Sequence, residues 1–275
     1  MKIYALMLLS VLFLWSGCKN EKSKDSMNSS SAQEETQEDP IEYLGTGEPK
    51  YNLYIGDTDD KFQDASIKFW SYEDGHFDFE IGGDSYELKA QTPDESELMC
   101  ANSDKGQHLH IIVDKNPYSA QYDSSFDFDI SNGQHHLLAF LGKSYHESIK
   151  YPAAHIAKLI DVKDGNITNE WNIPTPTLFY SRPKGTYVGK DTKKVLIDFY
   201  PVNINIGEDA KIKLQINGEQ YYLYEWHPYF VEGLPYGENT IGIQMVDLNG
   251  EPISGVITSH LRKFKLERDP AEAIN

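Results

Sequence analysis

The sequence predicts an all-β protein, two tandem β-sandwich repeats behind a disordered tether, and three observations carry that prediction. Apolar residues alternate with polar ones in short runs separated by Gly, Asn and Asp turn signals. After residue 18 no long apolar run follows the 3.6-residue helical period. The second half of the chain also repeats the first, at an offset of 103 to 104 residues.

The chain opens with a basic start and an apolar stretch over residues 5–15, too short for a stop-transfer helix, followed by Ser16, Gly17 and Cys18. Small residues before a cysteine resemble the lipobox of bacterial lipoproteins, with Trp15 where a Leu-like residue is usual. The resemblance implies a signal peptide over residues 1–17 and an acylated Cys18 anchored in the lipid bilayer, with an outer-membrane address facing the periplasm or the cell surface. Several acyl chains on one residue make such anchoring stable. Residues 18–50 are polar, with charged residues directly after Cys18 that resemble those of surface-displayed Bacteroidota lipoproteins. Without an apolar period this stretch reads as a tether.

Two sandwiches fill the roughly 220 remaining residues, expected over 51–165 and 172–269, with the second folding alone. Its strands run in order: residues 195–200 (VLIDFY), residues 211–217 (KIKLQIN) ending in an Asn217-Gly218 hairpin turn, then 229–234, 240–246 (TIGIQMV) and 261–266. In the first half, Asp114 aligns with Asn217, Gly133 with Gly237, and Leu137, Ala139 and Leu141 with Ile241, Ile243 and Met245. Residues 77–81 answer to residues 195–199. Residues 226–230 (WHPYF) and 237–241 (GENTI) resemble the immunoglobulin-like and fibronectin-like repeats of bacterial surface proteins, which implies fold and not function.

The formal net charge is −18, and the only arginines are Arg182, Arg262 and Arg268. Nucleic acid is therefore excluded as a partner, because phosphate contacts require a basic patch. No nucleophile elbow, phosphate loop, His-Glu-x-x-His or paired-cysteine motif is present, so the chain reads as non-catalytic. With Cys18 acylated, Cys100 has no partner for an internal disulfide.

Seven of the nine histidines lie between residues 76 and 155. The second repeat orients them. Ile212, Leu214 and Ile216 must face a core, because Lys211, Lys213 and Gln215 cannot. In the first repeat Leu109, Ile111 and Val113 are then core, and His108, His110 and Ile112 face outward. By the same parity His136, Leu138 and Phe140 face outward. Two readings of this face follow. In one, His108, His110 and His136 bind Cu²⁺ or Zn²⁺, with His146 as a fourth ligand or hydrogen-bond partner and Cys100 as an additional soft ligand. In the other, Ile112, Leu138 and Phe140 form an apolar docking surface for the second repeat or for another envelope protein. The second repeat has Gln215, Gly242 and Gln244 at those three places. Imidazoles on an exposed face would titrate near pH 6.5, and their substitution would leave the fold nearly intact.

Residues 100–110 (CANSDKGQHLH), 116–118 (NPY) and 141–148 (LGKSYHES) resemble a group of uncharacterised flavobacterial (Bacteroidota) lipoproteins with immunoglobulin-like repeats, some loosely labelled phosphopeptide-binding. The Gly-x-His-x-His strand is also similar to a periplasmic domain of unknown function. The resemblance spans residues 60–165 and implies no activity. Phosphoryl recognition leans on arginine clusters, in which this chain is poor.

Overall fold

In the computed structural model, residues 39–57, 61–98 and 100–271 are described. The signal peptide, Cys18 and the tether as far as residue 38 lie outside them. The regular structure of the described residues is nearly all strand, with one four-residue α-helical turn, α1 (Glu95–Leu98), and two short 3-10 turns, Pro152–Ala154 and Gly189–Thr192.

Two strands precede the first sandwich, β1 (Ile41–Tyr43) and β2 (Asn52–Ile55). The first sandwich then packs β3 (Ser66–Glu73), β4 (His76–Gly82) and β7 (Ser125–Asp127) against a five-stranded sheet. That sheet runs β10 (Asn166–Trp171), β9 (His155–Lys163), β8 (Gly133–Gly142), β5 (His108–Val113) and β6 (Ser119–Gln121). Phe77, Leu109, Ile111, Leu137, Ala139, Leu141 and Ile160 fill the space between the two layers. The second sandwich pairs β11 (Thr177–Arg182), β13 (Lys194–Val202), β16 (Tyr229–Glu232) and β2 in one sheet. Its other sheet holds β1, β15 (Glu219–Leu223), β14 (Lys211–Ile216), β17 (Gly237–Val246), β18 (Ser259–Glu267) and β12 (Gly185–Val188).

The internal repeat is reproduced in register. Leu109 faces Leu141 and Ile111 faces Ala139 across β5 and β8. Ile212 faces Met245 and Leu214 faces Ile243 across β14 and β17. Even the strand-end device is shared. Asp114 and Asn217 both take left-handed backbone angles, φ 56° and 47°. Each accepts the backbone N–H of its aligned partner, His136 at 2.9 Å and Thr240 at 2.8 Å. Short polar side chains tolerate this conformation because they hydrogen-bond locally.

The expected boundaries need correction at both ends of the first repeat. Residues 41–55 belong to the second sandwich: β1 pairs with β15 and β2 with β16. Tyr51 is buried in that sandwich's core, with Ile41, Tyr43, Leu53 and Ile55 packed against it. The tether therefore ends before residue 41, and a segment limited to 172–269 would expose two sheet edges and part of its core. At the other end β10 forms a hairpin with β9, so residues 166–171 extend the first sandwich rather than link the two.

The sandwiches stack through sheet faces that point away from their own cores. From β5 and β8 come Ile112, Leu138 and Phe140; from β11 and β13 come Phe179 and Tyr200. All five are buried to 1 % exposure or less. The Phe140 and Tyr200 rings stack at 5.5 Å. The three residues of the docking reading thus lie against Phe179 and Tyr200 of the second repeat.

Candidate functional site

The histidines occupy the polar half of that stacked face. Strand alternation puts His108 and His110 on the same side of β5 as Ile112. Because β8 runs antiparallel, Gly142 lies opposite His108 and Phe140 opposite His110. The chain then turns back: the Lys143 N–H donates to the Glu147 carbonyl and the His146 N–H to the Lys143 carbonyl, both at 2.9 Å. His146 adopts φ 71° at the turn and reaches over the two strand histidines.

One ring nitrogen from each of His108, His110 and His146 lies within 4.8 Å of the other two. His110 Nε2 is 2.7 Å from His108 Nε2, which is 3.0 Å from His146 Nδ1. His108 Nδ1 donates to the Gly106 carbonyl at 2.8 Å, which fixes the tautomer and leaves Nε2 as a lone pair aimed at the cluster. That one lone pair can accept at most one N–H, so it cannot satisfy both of the ring nitrogens facing it. A cation, by contrast, satisfies all three inward nitrogens at once. An ion about 2.0 Å from each donor places the donors roughly 3.3 Å apart, so small ring movements convert this triangle into a coordination set.

Burial favours the neutral, ligating form of every member. It pushes His108 down to about 4, and His110 and His146 well below the ordinary histidine value, with Arg182 and Lys184 adding to the shift. The Tyr118 ring lies parallel to His110, 3.8 Å away at 2°. Lys184 Nζ sits 3.6 Å from the centre of the same ring, so it must occupy the opposite face. Tyr118 OH is 3.3 Å from His146 Nδ1, and Ser181 Oγ is 3.4 Å from His110 Nδ1. The β11–β12 segment of the second sandwich, carrying Ser181, Arg182 and Lys184, therefore walls a cluster whose ligands all come from the first.

The expected site changes in three ways. His136 is not part of it. It pairs across to Leu159 at the far end of β8, beside Asp114. Antiparallel pairing opposes His110 with Phe140, which puts His136 four residues, about 13 Å, down the strand. His146 is one of the three central ligands instead of an accessory. Cys100 belongs to a separate apolar cluster with Tyr145, Leu196 and Phe230. Burial first, then Glu147, pushes its thiol up to about 12, and its sulfur is not among the converging donors, so it stands as a core residue apart from the site. The outward orientation of His108 and His110 holds with respect to their own sandwich, but the second sandwich covers them and both are fully buried. Their replacement is correspondingly a core substitution, not an exposed one. Sequence reasoning missed Ser181, Arg182 and Lys184, since no pattern within one repeat reports what packs on its outer face.

No family model matches the chain, and no curated protein matches it either. Among solved structures it is similar to the fibronectin(III)-like modules of Clostridium thermocellum CbhA, at 13 % identity, covering 34 % of this chain and 99 % of that one with a TM-score of 0.27. It is similar to the central fibronectin-III array of RIM-binding protein at 10 % identity, covering 75 % and 70 %, TM-score 0.25. A third likeness is to the mixed-linkage glucan utilization locus protein SGBP-B of Bacteroides ovatus, at 10 % identity, covering 85 % and 72 %, TM-score 0.20. These are likenesses of fold alone.

Proposed function

We propose that the chain is a non-catalytic binding module of the bacterial envelope, tethered through acylated Cys18, and that it takes up a transition-metal ion on His108, His110 and His146. The observation that carries the metal reading is the convergence of three ring nitrogens within 4.8 Å, two of them from fully buried histidines and the third from half-buried His146. Neutral imidazoles are ligands for zinc and copper alike. The Gly106 carbonyl supplies the outer hydrogen bond that orients a ligating histidine. The apolar half of the same face holds the two sandwiches together and leaves the metal site inside a built interface. Anchoring rests on the sequence of residues 1–18, and Cys18→Ser should release the protein from the membrane fraction.

Calorimetric titration of the purified chain with copper and zinc ions tests the site. One ion should bind more tightly than about 0.1 mM. His146→Asn should lose binding while keeping its circular dichroism, because Asn tolerates the positive φ at this position. His136→Ala should bind as the parent does. Equal losses in the two variants, or no binding tighter than that threshold, would contradict the reading.

A further inference from the structure

The donor set and its surroundings discriminate between ions. All three donors are neutral imidazoles, and the group contains no carboxylate. The charged side chains flanking the aromatic wall are cationic: Lys184 lies against the far face of the ring that stacks on His110, and the Arg182 guanidinium lies 5.3 Å from the same ring centre. His108 and His110 are fully buried. The cost of desolvating an ion grows with the square of its charge, and repulsion from fixed cations grows linearly with it. A divalent ion would thus meet four times the desolvation cost and twice the repulsion of a monovalent one, with no anionic ligand to offset either.

The coordination number points the same way. Zinc sites are almost always four-coordinate. Here the Tyr118 ring is parallel to that of His110 at 3.8 Å. The phenol oxygen lies beside His146 Nδ1 at 3.3 Å but in the plane parallel to His110, so a zinc ion would need a water as its fourth ligand in a pocket where His108 and His110 are fully buried. Cys100 is held in a different cluster.

We infer that the site is selective for Cu(I), held by His108, His110 and His146 in three-coordinate geometry within an aromatic, cation-flanked pocket. This rests on the metal reading above and narrows it to a monovalent, nitrogen-binding ion.

The test is anaerobic competition of the purified full chain against bicinchoninate for Cu(I), alongside direct titration with Zn²⁺ and Cu²⁺. One Cu(I) should transfer per chain, with an affinity at least 100-fold tighter than for Zn²⁺. His146→Asn and His110→Ala should each reduce the transferred copper to near zero, with His146→Asn serving if the buried substitution unfolds the chain. Lys184→Glu should narrow the Cu(I)-to-Zn²⁺ preference at least tenfold by reversing one flanking charge. Zinc binding as tight as Cu(I), dependent on the same histidines, would overturn the Cu(I) assignment and leave the metal site standing. Failure to bind any of the three ions would remove both.

Discussion

The same sheet face occurs twice in this molecule with opposite fates. In the first sandwich His108, His110, Ile112, Leu138 and Phe140 are buried under the neighbouring sandwich. In the second, Lys211, Lys213, Gln215, Gly242 and Gln244 occupy the aligned places on β14 and β17 with the same pairing register. Four of these five are no more than half-buried, and Lys211 lies over the Tyr222 ring at 3.8 Å. The backbone therefore demands neither histidines nor aromatics there. What differs is the cover, and the residues follow it: apolar ones where Phe179 and Tyr200 seal the sheet, imidazoles where Ser181 approaches it and Arg182 and Lys184 lie against Tyr118.

Core-sized substitutions should expose the contrast most strongly. Phe140→Ala removes a fully buried ring from the junction and should cost about 3–5 kcal/mol. Gln244→Ala, at the aligned place, should change stability by less than about 0.5 kcal/mol. Urea denaturation of both variants measures the difference; similar losses would mean that the two faces are equivalent after all.

Acid should act next, through the first sandwich's face and also, in the second sandwich, through His260, whose ring burial pushes down to about 4. Above pH 6.5 the ring of His108 is neutral in both folded and unfolded chains, so it contributes no pH dependence. Between 6.5 and about 4 the unfolded chain takes up a proton that the folded chain refuses. Stability should therefore fall across that window, by roughly 3 kcal/mol from His108 alone. His110 and His146, shifted the same way, add to the fall. A bound ion should deepen it, since protons and metal compete for the same lone pairs. Melting temperatures at a series of pH values read this directly, and a flat profile from 7 to 4 would count against buried neutral imidazoles.

A smaller effect than the junction or acid losses should be the one the two regions share. Asp114→Ala and Asn217→Ala each remove a side chain that accepts a backbone N–H from a left-handed position. Each should cost about 1–2 kcal/mol, and the two values should agree more closely than the losses at Phe140 and Gln244 do.

Much of this was legible in the sequence, for a physical reason. Period-two alternation and the 103–104 offset encode which side of a strand is core, so Leu109, Ile111, Leu137 and Ala139 and their partners in the second repeat could be assigned before any coordinates. Alternation says nothing about direction along the strand. That is why His136 was grouped with His108 and His110 although antiparallel pairing sends it to the far end, and why His146, just past the turn, takes its place. Nor does alternation report long-range pairing. Ile41 and Asn52 meet strands more than 170 residues away, and only the polar character of the stretch around β1 was visible locally. The stacking of one sandwich on the other, which buries the histidines and brings up Arg182 and Lys184, lies beyond any single-repeat pattern.

The central claim is that His108, His110 and His146 hold one ion. Anomalous diffraction at the copper edge from crystals grown with Cu(I) under anaerobic conditions tests it most directly. One strong peak should lie about 2 Å from His108 Nε2, His110 Nε2 and His146 Nδ1. A peak at the exposed His76–Asp127 pair or the His135–Asp114 pair instead, with none between the rings of His108, His110 and His146, would contradict it.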